Sequence, residues 1–259
     1  MFSLVMLFIT LPVLYFIYGL LGRKLTISGI ERKAVLITGC GSGEIQQKHF
    51  CGRRFGRDLV KRCLENGLTV FAGCRLHAFQ MDVTDDESVR NSRKIVDAVL
   101  KEKNLVFHAL VNNAGIIGTF YYNDFLTLDD YKEVWDVNLC GVVRVTQTFR
   151  DLIKKSRGRL VICSSATTLF PMPTHGPYCC SKHELLPYGV NVIEIVPGCF
   201  KTGISNLEPI LKRNDTVWNR APQKLRDEFG HDYNEKVKKY VTEVQSKVTA
   251  MDTTWVIDA

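Results

Sequence analysis

Five short β-rich runs, Lys33 to Thr38, Leu68 to Ala72, Leu105 to Val111, Leu160 to Cys163 and Val190 to Val196, recur along the chain with helical patterns between them. Runs this short and this apolar suit strands covered on both faces, as in a parallel sheet. Parallel neighbours need a crossover, which is usually a helix, so the alternation predicts a doubly wound, mostly parallel α/β sheet in one domain. The intervening segments fit. Asp85 to Lys103 opens acidic and closes on Lys101 and Lys103, in line with the helix dipole. Leu128 to Lys155 places apolar residues at helical spacing behind a Thr127 cap. Past Thr202 the chain is charged and helical, most clearly from Glu235 to Lys247. The core is therefore assigned to 30–205 and a helical tail to 206–259, expected over a substrate mouth.

Residues 1–22 read as a separate appendage. No charged residue occurs from Phe2 to Leu21, and about 20 helical residues span about 30 Å of hydrocarbon. Arg23 and Lys24 follow the apolar run, the reverse of a cleavable signal, so the segment is expected to be an uncleaved transmembrane helix. Its basic C-terminal flank places the remaining domain in the cytosol. The net charge of +7 is scattered, without the aromatic interleaving of a nucleic-acid surface, and suits an anionic membrane instead. Nine cysteines, an odd number without zinc-site spacing, read as reduced thiols, and no metal is expected.

Three turn signals share one edge of the predicted sheet. Thr38-Gly39-Cys40-Gly41-Ser42-Gly43 follows the first strand, Asn112-Asn113-Ala114-Gly115 ends a later one, and Pro197-Gly198 ends another. Open α/β sheets bind ligands at the C-terminal ends of their strands, where glycines let backbone N–H groups approach a pyrophosphate. Tyr178 and Lys182 are four apart and share a helix face. A phenol with a pKa of about 10 is too weak a base at neutral pH, and a neighbouring ammonium lowers it. Ser165 lies thirteen residues before Tyr178, at the end of the preceding strand, positioned to hydrogen-bond a substrate oxygen. Ser164 competes for that role, and the spacing favours Ser165. Of the histidines, only His175, three residues before Tyr178, is placed to touch substrate.

In this order the motifs resemble the short-chain dehydrogenase/reductase family, and with the apolar N-terminal segment its microsomal retinol and hydroxysteroid dehydrogenase branch. The resemblance runs from Lys33 to about Trp218. It implies a Rossmann-type core and an NAD(P)-dependent enzyme interconverting an alcohol and a carbonyl on a lipophilic retinoid or steroid. It also implies residence in the endoplasmic reticulum membrane with the catalytic domain cytosolic, and it allows a homo-oligomer. By the same resemblance Ser165 orients the substrate oxygen, Tyr178 transfers the proton, Lys182 holds the ribose and tunes the tyrosine, and Asn138 anchors a water relay. Thr38, Gly39, Gly43 and, after an interruption, Gly56 would serve the phosphates. Asp82 would touch the adenine, Asn112, Ala114 and Gly115 would flank the cofactor, and Pro197, Gly198 and Thr202 would lie toward the nicotinamide. The second strand ends in Gly73-Cys74-Arg75 without an acidic residue for a ribose 2′-hydroxyl. Arg75 could instead pair with a 2′-phosphate, which favours NADP over NAD.

The sequence departs from the family pattern in four places. Eleven residues from Glu44 to Arg54 interrupt the glycine loop, and an excursion of that length is expected to detach the following helix from the phosphates unless it loops out. Met81-Asp82-Val83 follows the second strand too closely for a full parallel crossover, so a strand near Phe79 to Met81 is expected either not to join in parallel or to leave that edge empty. Only Lys182 to Tyr188 precede the strand at Val190, which leaves about two turns for the helix carrying Tyr178. The tail shows no pattern for the final strand that the resemblance implies. These departures motivate an alternative, a catalytically impaired membrane-bound nucleotide-binding or interaction protein of the same lineage.

Overall fold

A computed structural model describes residues 27–40, 53–74, 79–166, 191–197 and 207–248. Its strands are β1 (Lys33–Thr38), β2 (Thr69–Cys74), β3 (Phe79–Gln80), β4 (Val106–Asn112), β5 (Arg159–Cys163) and β6 (Asn191–Ile195). They form one six-stranded sheet in the order β3-β2-β1-β4-β5-β6, and every pairing is parallel. The helices are α1 (Arg53–Glu65), α2 (Asp86–Glu102), α3 (Leu128–Trp135), α4 (Gly141–Ser156), α5 (Leu207–Arg220), α6 (Gln223–Phe229) and α7 (Tyr233–Val248). The order runs outward in both directions from β1 and β4, so the direction of winding reverses between those two strands.

Alternation along the strands sends side chains to two separate cores. Ala34 and Leu36 of β1 join Phe107, Leu110, Leu160 and Ile162 beneath α2 and α4, while Val35 and Ile37 join Ala109 and Val111 against Leu59, Val60 and Cys63 of α1. The helices supply matching stripes. The buried residues of α2 are Val89, Ser92, Val96 and Leu100, one face of a 3.6-residue period. Asp85 caps that helix, its carboxylate accepting the Glu87 N–H at 2.9 Å.

Two expectations are corrected. The stretch from Leu128 to Lys155 is not one regular helix: a π-turn over Asp136–Cys140 separates α3 from α4, with the Gly141 N–H donating to the Asp136 carbonyl five residues back. The sheet edge beyond β2 is neither empty nor antiparallel, because Phe79 and Gln80 pair in parallel with Gly73 and Cys74. Two paired residues at a strand tip require the chain to step back by about one residue, so the dozen-residue crossover of full-length strands does not apply.

Three helices occupy most of residues 207–248. Helices α5 and α7 pack on residues 120–125 through a second core that includes Phe120, Tyr121, Phe125, Ile210, Val217, Val237 and Val241. Among the described residues no helix is long and apolar enough to cross a membrane, and the apolar stretch from Phe2 to Leu21 lies outside them.

Candidate active site

The end of β1 meets the end of β4 where the winding reverses, and the backbones there approach closely. Gly39 has φ +72°, and a Cβ on it would lie 2.7 Å from the Ala114 Cα and 2.9 Å from the Ala114 nitrogen. Only glycine accommodates both the left-handed backbone and that approach. Gly56, in the first turn of α1, is crowded as well: a Cβ there would lie 2.9 Å from the Gly39 carbonyl oxygen and 2.7 Å from the Asn113 Nδ2. The helix is therefore not detached. Despite the intervening residues, the N-terminal turn of α1 sits against the β1 end, and α1 begins at Arg53, so Arg53 and Arg54 belong to its first turn rather than to an excursion.

Polar side chains stitch this crevice. The Thr38 hydroxyl accepts the N–H groups of Asn113 at 3.1 Å and Ala114 at 3.0 Å and donates to the Val111 carbonyl at 3.4 Å. It is 1% exposed, and its hydroxyl holds the loop after β4. Asn113, which the motif reading left without a role, donates from Nδ2 to the carbonyls of Thr38 at 2.8 Å and Gly39 at 3.3 Å. Asn112 turns the other way and donates to the Thr146 hydroxyl of α4 at 3.0 Å. Its side chain therefore braces β4 on α4, while Ala114 and Gly115, both buried, continue along the crevice.

On the neighbouring strands, Ser164 N–H donates to the Ile195 carbonyl at 2.9 Å and Ala166 N–H to the Pro197 carbonyl at 3.0 Å. These bonds extend the β5–β6 pairing past its regular end and fix Ser165 between them. Alternation buries Ser164, whose hydroxyl has no partner among the described residues, and leaves Ser165 partly exposed. Asn138 is fully buried in the π-turn. Its Oδ1 accepts the Ile116 N–H and its Nδ2 donates to the Ile116 carbonyl, both at 2.8 Å. Asp82 N–H donates to the Ser88 hydroxyl at 2.9 Å, and the Asp82 carboxylate accepts from Thr84 N–H at 3.1 Å and Thr84 Oγ1 at 2.8 Å.

Gly43, Arg75, His175, Tyr178, Lys182, Gly198 and Thr202 lie outside the described residues. Two tyrosines beyond the crevice, Tyr121 buried and Tyr233 half-buried, are held protonated at neutral pH. Burial, with Tyr233 and Asp215 nearby, raises the Tyr121 hydroxyl well above its usual value, and burial, with Tyr122 and Asp124, pushes Tyr233 up to about 12. Among the described residues no group of histidine, cysteine, aspartate or glutamate could hold a metal ion.

The short chain dehydrogenase family model matches residues 33–209. The 3beta-hydroxysteroid dehydrogenase dhs-16 of Caenorhabditis elegans is 31% identical, over 96% of this chain and 70% of that protein. Retinol dehydrogenase 16 of Homo sapiens is 32% identical, over 91% and 78%, and the mitochondrial D-beta-hydroxybutyrate dehydrogenase of Rattus norvegicus is 34% identical, over 88% and 72%. Among solved structures, a short chain dehydrogenase/reductase from Burkholderia phymatum in complex with NAD shares the fold with a TM-score of 0.59 at 20% identity, covering 87% of this chain and 83% of that one. One from Burkholderia cenocepacia in complex with NADP gives 0.52 at 21%, over 68% and 76%.

Proposed function

The chain belongs to the short-chain dehydrogenase family, an NAD(P)-dependent group of enzymes acting on CH–OH groups, and on that premise we propose that it interconverts an alcohol and a carbonyl on a lipophilic substrate of the retinoid or steroid class. The observation that carries this reading is the convergence of Gly39, Gly56 and Ala114 at the switch point of the sheet. Side chains at Gly39 and Gly56 would collide with the facing backbone, so only glycines let the first turn of α1 close on the β1 end, at the strand edge where open α/β sheets hold a pyrophosphate. A bound nicotinamide dinucleotide would supply the hydride acceptor or donor.

The protein's own groups then divide the remaining work. Ser165 orients the substrate oxygen, and Tyr178 takes or returns its proton. Lys182 lowers the tyrosine's pKa by placing an ammonium beside it. Asn138 holds the Ile116 backbone and, through it, the segment following Ala114 and Gly115. Gly43, Asp82, Pro197, Gly198 and Thr202 complete the dinucleotide contacts, and Arg75 faces a 2′-phosphate, making NADP the preferred cofactor.

The charge-free stretch from Phe2 to Leu21 supports a transmembrane anchor over 1–22, and apolar substrates partition into a bilayer. The reading places the enzyme on the endoplasmic reticulum membrane with its catalytic domain in the cytosol. The tail over 206–259 then lines the substrate side. The test is thermal stabilisation of the full chain by NADPH and NADH, followed by turnover of retinol, a hydroxysteroid and D-beta-hydroxybutyrate. Dinucleotide binding with retinol or steroid turnover is expected. Turnover of hydroxybutyrate alone would reject the lipophilic substrate, and binding without turnover would favour the impaired nucleotide-binding alternative.

A further inference from the structure

Arg144 of α4 reaches two turns that the proposed reaction uses separately. Its Nη1 donates to the Val83 carbonyl at 2.5 Å and its Nη2 to the Asp136 carboxylate at 3.5 Å, while its Nε pairs with Asp86. Val83 lies in the turn that begins at Asp82 and leads into α2, and Asp86 is the first residue of that helix, on the adenine side of the crevice. Asp136 opens the π-turn that carries Asn138. The start of α4, directly after the π-turn, also lies close to Val83, since a Cβ on Gly141 would lie 3.0 Å from the Val83 Cγ2. A planar guanidinium spans three acceptors in a fixed fork, which a single ammonium cannot. The Arg144 side chain is 21% exposed, so its bonds are partly shielded from competing water.

We propose that Arg144 is a positioning residue that couples the adenine-side turn at Asp82–Asp86 to the turn holding Asn138, so that occupation of one end of the dinucleotide site orders the other. This rests on the function proposed above. Arg93 provides the contrast: it also ties α2 to α4, through Asp151 at 2.6 Å and the Thr148 carbonyl at 2.5 Å, yet it touches neither turn.

The experiment compares Arg144→Gln, Asp86→Asn and Arg93→Gln in the full chain, reading NADPH and NADH affinity and the hydrogen-exchange rate of the Ile116 amide that Asn138 holds. Arg144→Gln is expected to weaken dinucleotide binding and speed Ile116 exchange by about tenfold each. Asp86→Asn, a mild surface change on the adenine side, is expected to speed Ile116 exchange by about threefold, the scale of one exposed ion pair. Arg93→Gln should lower thermal stability without moving either reading. Ile116 protection in the first two variants equal to that in Arg93→Gln would overturn the coupling, and Asp86→Asn keeps the test open should Arg144→Gln fail to fold. A wild-type chain that binds neither dinucleotide would remove the proposed function and this inference with it. Wild-type binding with unchanged variants would remove the inference alone.

Discussion

The amide of Asn138 brackets the backbone of Ile116, accepting its N–H and donating to its carbonyl at the same distance of 2.8 Å. Ile116 lies in the segment after β4 and Asn138 in the π-turn, and both are buried, so this pair sets where the chain goes after Ala114 and Gly115. Asn138→Ala would leave two buried backbone groups without partners. A loss of about 2–6 kcal/mol is expected, since two groups go unmet and each costs roughly 1–3 kcal/mol. Urea unfolding measures it, and a loss under about 1 kcal/mol would mean that water replaces the amide.

Gly39 and Gly29 separate crowding from backbone strain. Both have positive φ, +72° and +61°, but a Cβ on Gly29 would meet only the Glu31 Oε1 at 3.9 Å, whereas one on Gly39 would strike the Ala114 backbone. Gly29→Ala should cost about 1 kcal/mol. Gly39→Ala should cost a further 1–3 kcal/mol or so and abolish dinucleotide-induced stabilisation. Equal effects in thermal melts would show that the approach of β1 to Ala114 is not tight.

Tyr178→Phe should reduce turnover by about a thousandfold, the range for losing a general acid–base group, while dinucleotide affinity changes little. Single-turnover kinetics alongside nucleotide titration would check this. Retained activity would take the tyrosine out of the proton-transfer role.

Arg75→Ala bears on cofactor choice. Removing a charged hydrogen-bond donor to a phosphate should raise the KM for NADP by about tenfold and leave that for NAD nearly unchanged. Parallel loss with both cofactors would place Arg75 away from the 2′-phosphate.

Acid should loosen the contact between the tail and α3. Burial pushes the Asp130 carboxyl up, but the Arg220 guanidinium of α5 and the Thr127 backbone and hydroxyl outweigh it and hold the group below its usual value. Thr127 N–H and Oγ1 each donate to Asp130 at 2.7 Å. A carboxyl whose folded pKa is depressed stabilises the protein above its unfolded pKa of about 4, and that contribution disappears as pH falls through the lower folded value. Asp130→Asn should therefore be less stable at pH 7 by about 1 kcal/mol and lose less on acidification below about pH 4 than the parent. Denaturant unfolding at both pH values decides it, and parallel pH profiles would contradict the assignment.

The boundaries of β1 and the existence of β2, β4, β5, β6 and α2 were legible because strand alternation, helical periodicity and caps such as Asp85 act over a few neighbouring residues. The turn glycines were legible for the same reason, as was their common edge once the strands were taken as parallel. What local pattern could not decide was how residues about 75 positions apart meet. Whether the Thr38 hydroxyl faces a ligand or the Asn113 and Ala114 N–H groups depends on the register that sets Ile37 beside Val111. Whether Gly56 still reaches Gly39 across the residues between them depends on α1 packing against Val35 and Ile37. The π-turn around Asn138 and the reach of Arg144 to Val83 likewise arise only when α4 lies against the turn before α2, because a buried side chain bonds with whatever backbone the packing brings to it. Chain order specified the elements and the edge where chemistry belongs; close packing between distant segments determined which polar groups there are already occupied.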